Sequence, residues 1–234
     1  MAQALVVGLP GTLCSPAVFE PVARELAGAV TVAPFSWLTE PGPWDIPAVA
    51  DRVAGHIERS GRQPVLVCGH STGGAIALQL AARHPRLVAG LVLADTGAHM
   101  RGHGDVDAIL RSLKDNWGEE LRAAVLDRSF RQPLDAETRA EFLRWAAAVS
   151  PQAAYDVLAS QRDLDLTGAL AGISQPVIVI HGRYDRARPP EQGRELAGAL
   201  PDAEFRLAET GHTPLYEDPA AVAAAIRDVL ARAR

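Results

Sequence analysis

Residues 65–85 read VLVCGHSTGGAIALQLAARHP, and the junction inside this stretch decides the fold. An apolar run typical of a buried strand ends near Gly69, and a helical pattern begins near Gly73. Ser71 lies between them in the GHSTG pattern of residues 69–73. A serine at so tight a strand-to-helix turn has a strained backbone and an exposed hydroxyl, and the flanking glycines avoid Cβ collisions. The stretch therefore predicts a nucleophile elbow with Ser71 at its apex.

Short apolar runs of the same kind recur along the chain, with helical patterns between them. Runs that are apolar on both faces are typical of parallel strands covered by helices on each side. One further run, residues 203–209, alternates apolar and polar residues as an edge strand would. This alternation of strand and helix predicts an α/β fold with an open, doubly wound and mostly parallel sheet, whose ligands bind beyond the carboxyl ends of the strands. The remaining predicted strands are residues 4–9, 30–34, 64–69, 90–95 and 176–182.

Residues 98–172 interrupt this alternation of strand and helix, because they contain helical patterns and no strand-like run. The segment is too long for a connecting loop in a compact domain. We therefore expect a short helical cap at residues 98–172, inserted in a core formed by residues 1–97 and 173–234. The cap would lie over the carboxyl edge of the sheet.

Two further residues follow Ser71 in an order that suits nucleophilic catalysis. Asp185 comes three residues after a predicted strand that ends near Gly182, and His212 comes just after the last strand. Since parallel strands end at one edge of the sheet, both side chains are expected near Ser71. A serine hydroxyl needs a base, and the base needs an orienting carboxylate. Asp95, at the end of another strand, is the alternative carboxylate, although capping or bonding a loop is the role we favour for it.

On these residues the chain resembles the α/β-hydrolase-fold superfamily, over nearly its whole length. The GHSTG, HGRYD and GH segments match that superfamily in order and spacing. The resemblance implies that Ser71 is the nucleophile, His212 the general base and then acid, and Asp185 the orienting carboxylate. Residues 163–201 are also similar to segments of small lactonases and carboxylesterases, including the 3-oxoadipate enol-lactonase type.

The resemblance also implies an oxyanion hole made of two backbone N–H groups. The N–H of Thr72, directly after the nucleophile, would be one of them. The other would come from the loop after the first strand, where many superfamily members have a His-Gly pair and this chain has Pro10-Gly11. That alignment predicts Thr12 as the second donor, with Leu9 as the alternative if the register differs.

Composition restricts the partners that the chain can have. The 234 residues include 23 basic and 28 acidic side chains, for a formal net charge of −5. Nucleic acids and anionic membrane surfaces both require clustered positive charge, so neither is expected as a partner. The absence of a basic segment before the first apolar run argues against a signal peptide, and two cysteines are consistent with reduced thiols. We therefore predict a cytoplasmic protein acting on a small acyl substrate.

No cofactor or metal is predicted. The segment HMRGHGDVD at residues 99–107 contains His99, His103, Asp105 and Asp107, which are residue types that bind metals. Its glycines favour a polar hinge into the cap over a rigid metal site. Both phosphate-binding glycine motifs, G-x-x-x-x-G-K-[ST] and G-x-G-x-x-G, are missing from the sequence.

The function favoured by these patterns is a serine hydrolase that cleaves a carboxylic ester, thioester or lactone through an acyl-enzyme. An acyltransferase or a C–C bond hydrolase would use the same three residues. A non-catalytic small-molecule receptor on the same scaffold is the alternative outside enzymology. The sequence carries no signal for an oligomeric state.

Overall fold

A parallel sheet forms the centre of the molecule, in a computed structural model that describes residues 3–233. Residues 1–2 and 234, at the ends of the predicted core, lie outside the described part. The strand order is β2-β1-β3-β4-β5-β6, and every neighbouring pair is parallel. The predicted fold class is confirmed. The strands are β1 (Ala4–Leu9), β2 (Val30–Pro34), β3 (Val65–His70), β4 (Val88–Ala94), β5 (Val177–Gly182) and β6 (Ala203–Ala208).

The direction of chain winding reverses at β1, because β2 lies on one side of it and β3 on the other. In open α/β sheets the crevice at such a reversal is the usual place for a ligand. The loop after β1 and the turn after β3 therefore meet where a site is expected. The alternating strand, β6, pairs only with β5 and is an edge strand as predicted.

Helices cover both faces of the sheet. Alternate strand residues face opposite ways: Val67 and Leu91 join one hydrophobic cluster, whereas Cys68 and Val92 join the other. This explains the near-continuous apolar runs in the sequence. The helices are α1 (Glu20–Glu25), α2 (Ile46–Ser60), α3 (Thr72–Arg83), α4 (Val106–Asp115), α5 (Glu119–Arg128), α6 (Ala136–Ala147), α7 (Pro151–Asp163), α8 (Pro190–Ala199), α9 (Pro214–Glu217) and α10 (Pro219–Arg232).

The segment between β1 and β2 contains two short helical pieces. A 3₁₀ turn covers Pro16–Phe19, and α1 ends at Glu25. Pro21 has no backbone N–H, so it cannot continue the hydrogen-bond ladder from the 3₁₀ turn into the helix. The two pieces are separate for that reason.

Four helices, α4 to α7, lie between β4 and β5, within the segment 98–172 that we call the cap. Buried residues of α4 and α7, including Leu110 and Val157, belong to the same hydrophobic cluster as one face of the sheet. The cap is therefore packed onto the core through apolar contacts. Its definition as a separate domain stays a prediction. Within residues 3–233, we find no helix with the length and hydropathy needed to cross a membrane.

Candidate active site

The turn between β3 and α3 places Ser71 in a conformation that L-residues rarely adopt, with φ 53° and ψ −119°. Close packing imposes this turn. A Cβ on Gly69 would lie 2.5 Å from the carbonyl oxygen of Gly73, and a Cβ on Gly73 would lie 2.0 Å from that of Leu9. Only glycine allows β1, β3 and α3 to approach so closely. The local sequence thus holds the Ser71 hydroxyl out of the turn under backbone strain.

Ser71, His212 and Asp185 form a hydrogen-bonded row. The distance from Ser71 Oγ to His212 Nε2 is 2.9 Å, and the distance from His212 Nδ1 to Asp185 Oδ2 is 2.7 Å. In this arrangement Nδ1–H donates to the carboxylate and Nε2 accepts from the hydroxyl. His212 is only 6% exposed, so water has little access to these bonds. The three residues that the sequence analysis selected therefore lie together.

Asp185 is held as an ionised carboxylate by its surroundings. Its Oδ1 accepts the backbone N–H groups of Ala187 and Arg188 at 2.7 and 2.9 Å, and His181 Nε2 lies 3.2 Å from Oδ2. Burial opposes ionisation, but the neighbouring His212 and the hydrogen bonds outweigh it and hold the pKa of Asp185 below its ordinary value. The charge that orients His212 is thereby maintained.

Asp95, the alternative carboxylate, occupies a different position behind this row. It is fully buried and has a positive φ of 49°. Its Oδ1 accepts the N–H of Gly182 at 2.9 Å, which ties the end of β4 to the end of β5. Burial and the nearby Asp185 charge raise the pKa of Asp95 well above its ordinary value. No hydrogen bond joins Asp95 to His212 among residues 3–233.

His70, next to the nucleophile, supports the base rather than acting on the serine. Its Nε2 lies 2.6 Å from the carbonyl oxygen of His212, and the two rings pack at a centroid distance of 5.1 Å. Burial lowers the pKa of His70 to about 3, so the ring is neutral and Nε2–H donates to that carbonyl. The backbone of His212 is fixed by this contact.

Thr12 and Thr72 face each other across the crevice between β1 and β3. Their hydroxyl oxygens are 2.9 Å apart, and Thr72 donates in turn to Gln161 Oε1 at 2.8 Å. Since the Thr72 hydrogen is used in that bond, Thr12 is the donor in the first one. In the described part of the chain neither threonine N–H is bonded to another residue. Leu9, the alternative, lies inside β1 and pairs with Gly69.

Two supporting residues were not identified as such from the sequence. Trp37 is fully buried and its indole N–H donates to the Pro10 carbonyl at 2.9 Å, which anchors the loop that carries Thr12. Gln161, on α7, is 4% exposed and reaches Thr72 from the cap. A polar residue on a cap helix gives no sequence signal of this contact.

A cavity of about 100 Å³ opens in front of Ser71. Apolar side chains from α4, α5, α6 and α7 line one part of its wall, and they include Leu113, Leu126, Phe142 and Leu158. The reactive end carries the hydroxyl of Ser71 and the imidazole of His212. Such a cavity accommodates a small acyl group beside a polar reaction centre.

The four residues of the HMRGHGDVD segment are separated by the fold. His99 lies near Glu195 at 3.5 Å, whereas Asp105 caps α4 by accepting the Ala108 N–H at 2.8 Å. Asp107 pairs with Arg162 at 2.9 Å. His103 lines the cavity instead. The one group with metal-ligand geometry found in the described residues is Asp95, His181 and Asp185. Asp95 Oδ1 and Asp185 Oδ2 are engaged in the hydrogen bonds given above, and His181 Nε2 lies 3.1 Å from the Arg188 carbonyl oxygen. Asp95 Oδ2 and His181 Nδ1 have no hydrogen-bond partner among the described residues.

The sequence profile of the alpha/beta hydrolase family matches residues 6–225. The chain belongs to this family. A pimeloyl-[acyl-carrier protein] methyl ester esterase of Aromatoleum aromaticum is 33% identical over 183 residues, covering 70% of this chain and 73% of that protein. Lipase LipV of Mycobacterium tuberculosis is 31% identical over 208 residues, covering 80% and 77%. These relatives support ester bonds as the target of this α/β hydrolase.

Solved structures agree with this fold. The enol-lactonase from Burkholderia xenovorans superimposes with a TM-score of 0.86, at 22% identity, over 99% of this chain and 92% of the other. An esterase from Thermogutta terrifontis gives a TM-score of 0.83 at 22% identity, over 99% and 91%. At this level of identity the similarity shows the fold, and the family predicted from the elbow and its partner segments is confirmed by the profile match.

Proposed function

We propose that the protein is a serine esterase that hydrolyses a small carboxylic ester, thioester or lactone through an acyl-enzyme. The single observation that supports this most is the continuous row Ser71–His212–Asp185, with contacts of 2.9 and 2.7 Å at the mouth of an apolar cavity. The esterase and lipase relatives supply the bond type.

In the first half-reaction Ser71 Oγ attacks the substrate carbonyl carbon while its proton passes to His212 Nε2. The developing imidazolium is stabilised by Asp185, which remains ionised. The oxyanion accepts hydrogen bonds from the N–H groups of Thr12 and Thr72, which have no other partner in the described chain. Collapse of the tetrahedral intermediate expels the alcohol or thiol, which takes the proton from His212.

In the second half-reaction water attacks the acyl-enzyme, with His212 now accepting a proton from the water. The second tetrahedral intermediate uses the same oxyanion donors. Its collapse returns the proton to Ser71 Oγ and releases the carboxylic acid. Each proton therefore passes through one imidazole nitrogen, and Asp185 keeps that ring in the required tautomer.

The test is a panel of p-nitrophenyl acyl esters, acyl-CoA thioesters and lactones assayed with wild type and Ser71→Ala. Ser60→Ala, at the end of α2, is the matched control. We expect turnover in wild type and in the control, and none in Ser71→Ala. A pre-steady-state burst and a fluorophosphonate adduct on Ser71 would support the acyl-enzyme. No turnover and no labelling of Ser71 would overturn the proposal and favour a non-catalytic receptor.

A further inference from the structure

The wall of the active-site cavity differs in charge from the rest of the chain. The chain has more acidic than basic residues, 28 against 23. Nevertheless, no Asp or Glu lines the cavity in the described residues, whereas Arg128, Arg188 and His103 do. The cavity therefore combines an apolar wall with cationic groups that face no anion in its lining.

The guanidinium of Arg188 is already hydrogen-bonded within the protein. It is 2% exposed, and its Nη1 donates to the His99 carbonyl at 3.1 Å and to Gln192. Its charge also lies close enough to Asp185 and Asp95 for Coulombic attraction. Arg188 thus balances the buried carboxylates, and a substrate has no access to its charge without disturbing them.

Arg128, the last residue of α5, has no comparable hydrogen bonds from its guanidinium to described residues. It is solvent-accessible and lines the cavity, and its side chain makes no salt bridge or hydrogen bond to another residue of the range 3–233. Some other cap arginines are engaged: Arg139 pairs with Asp127 at 2.9 Å, and Arg162 pairs with Asp107 at 2.9 Å. The side chain of Arg144 also has no partner among the described residues, but Arg144 lies outside the cavity lining. A guanidinium left free at the cavity wall has its donors available to a ligand.

His103 adds a neutral polar group to the same wall. Burial, together with the charge of Arg188, lowers the pKa of His103 to about 4. The ring is therefore uncharged at neutral pH, and its Nδ1 is buried without a hydrogen-bond partner among the described residues. Arg128 and His103 line the same cavity, and the charge of Arg128 makes a small contribution to lowering this pKa.

We propose that the cavity binds esters carrying a second, anionic group, a carboxylate, which pairs with Arg128. The inference rests on the proposed esterase function and names its substrate class. A guanidinium binds a carboxylate through two parallel N–H···O bonds, and an apolar surround strengthens that pairing. The apolar side chains of the cavity lining suit the methylene chain that would join ester and carboxylate.

Matched substrate pairs test this directly. The first pair is the mono-p-nitrophenyl ester of glutaric acid and its terminal carboxamide, which differ only in charge on the acyl side. The second pair is carboxymethyl butyrate and carbamoylmethyl butyrate, which carry the difference on the alcohol side. For each pair we compare the ratio of kcat/KM for the carboxylate to that for the carboxamide. The pair with the larger ratio identifies the side that faces Arg128.

We expect a ratio above one in wild type that falls roughly tenfold or more in Arg128→Gln, since hydrogen bonds to charged groups are strong. Arg128→Lys should lower the ratio by a smaller factor, because an ammonium keeps the positive charge but not the two parallel N–H donors of the guanidinium. Arg144→Gln is the matched control, because Arg144 is an exposed cap arginine outside the cavity lining. It should leave the ratio unchanged, and added salt should reduce the ratio in wild type.

A wild-type ratio of one or less for both pairs, or a ratio that survives Arg128→Gln, would overturn the inference while leaving the esterase proposal intact. If no ester is turned over, the esterase proposal fails and calorimetry decides the inference separately. Tighter binding of the glutaric monoamide anion than of glutaramide, abolished by Arg128→Gln, would support the anion site. Equal binding would overturn it.

Discussion

Replacing Gly182 by alanine should disable the active site without touching any of its side chains. Gly182 ends β5, and a Cβ there would lie 1.8 Å from the carbonyl oxygen of Gly211 and 2.7 Å from that of Thr210. Gly211 directly precedes His212. Real Cβ contacts begin near 3.0 Å, so the loop carrying the base has to withdraw by about 1.2 Å or more. Gly182 itself is held from the other side by its bond to Asp95.

The magnitude follows from the hydrogen bond between Ser71 and His212. A withdrawal of that size would lengthen the 2.9 Å contact to roughly 4 Å, beyond hydrogen-bond range. Misplacement by about 1 Å can cost a factor of roughly 10² in rate. We therefore expect kcat for a p-nitrophenyl ester to fall about a hundredfold or more in Gly182→Ala. Overpacking of this kind should also reduce the free energy of unfolding by about 1–3 kcal/mol.

The assay combines steady-state kinetics, the rate of fluorophosphonate labelling and urea denaturation. Gly198→Ala is the control, because a Cβ at this position in α8 meets nothing within 4 Å. It should retain full activity and gain roughly 0.5–1 kcal/mol in stability, as expected for Gly→Ala inside a helix. Gly182→Ala with at least half of the wild-type kcat and unchanged stability would refute the reasoning that this glycine sets the position of His212.

Four further outcomes are expected. Asp185→Asn should lower kcat by at least roughly a hundredfold, whereas Asp95→Asn should keep at least about a tenth of the activity; the reverse order would transfer the orienting role to Asp95. The pKa of Asp95 is raised in the folded protein, so protonated Asp95 stabilises the fold fully below about pH 3.9, and this contribution to stability is lost as pH rises through the raised pKa. Asp95→Asn should therefore reduce the fall of Tm with rising pH. Gln161→Leu leaves the Thr72 hydroxyl without its acceptor and should reduce kcat roughly tenfold with little change in KM. The double variant Gln161→Leu/Thr72→Val should have a kcat no lower than that of the less active single variant. Burial raises the pKa of the Cys14 thiol to about 12, so Cys14→Ser should keep kcat within about twofold and iodoacetamide should not inactivate wild type at neutral pH; rapid inactivation would contradict this.

The sheet and the catalytic row were predictable for a common reason. Strand runs and the GHSTG turn are local patterns whose spacing is imposed by backbone geometry, and the carboxyl ends of parallel strands meet at one edge. Asp185 and His212 could therefore be selected without knowledge of tertiary contacts, and the structure places His212 next to Ser71 and Asp185 next to His212. Their catalytic roles stay predictions until the variants are assayed.

The supporting residues could not be predicted, because nothing local distinguishes them. Gln161 lies on an amphipathic helix, where a glutamine is ordinarily exposed, and it becomes 4% exposed only because α7 crosses the elbow. Trp37 follows an edge strand in a turn-rich segment, and its role depends on the distant Pro10 carbonyl. Likewise, the spacing of the cap arginines in the sequence does not determine which of them pair with a carboxylate, so the unpaired guanidinium of Arg128 could not be predicted.

The contact between Gln161 and Thr72 has a consequence for how specificity can change in this protein. The cap lines the cavity, while the nucleophile and the threonine N–H groups belong to the core. Since α7 both lines the cavity and holds the Thr72 hydroxyl, a displacement of α7 changes acyl-group selection and oxyanion geometry together. Moreover, α7 shares its buried residues with the sheet, so the helix cannot swing away without exposing Val157 and its neighbours to water. Changes of substrate are therefore expected to arise through side chains on α4, α5 and α6, which line the cavity and, among the described residues, make no hydrogen bond to Thr12 or Thr72.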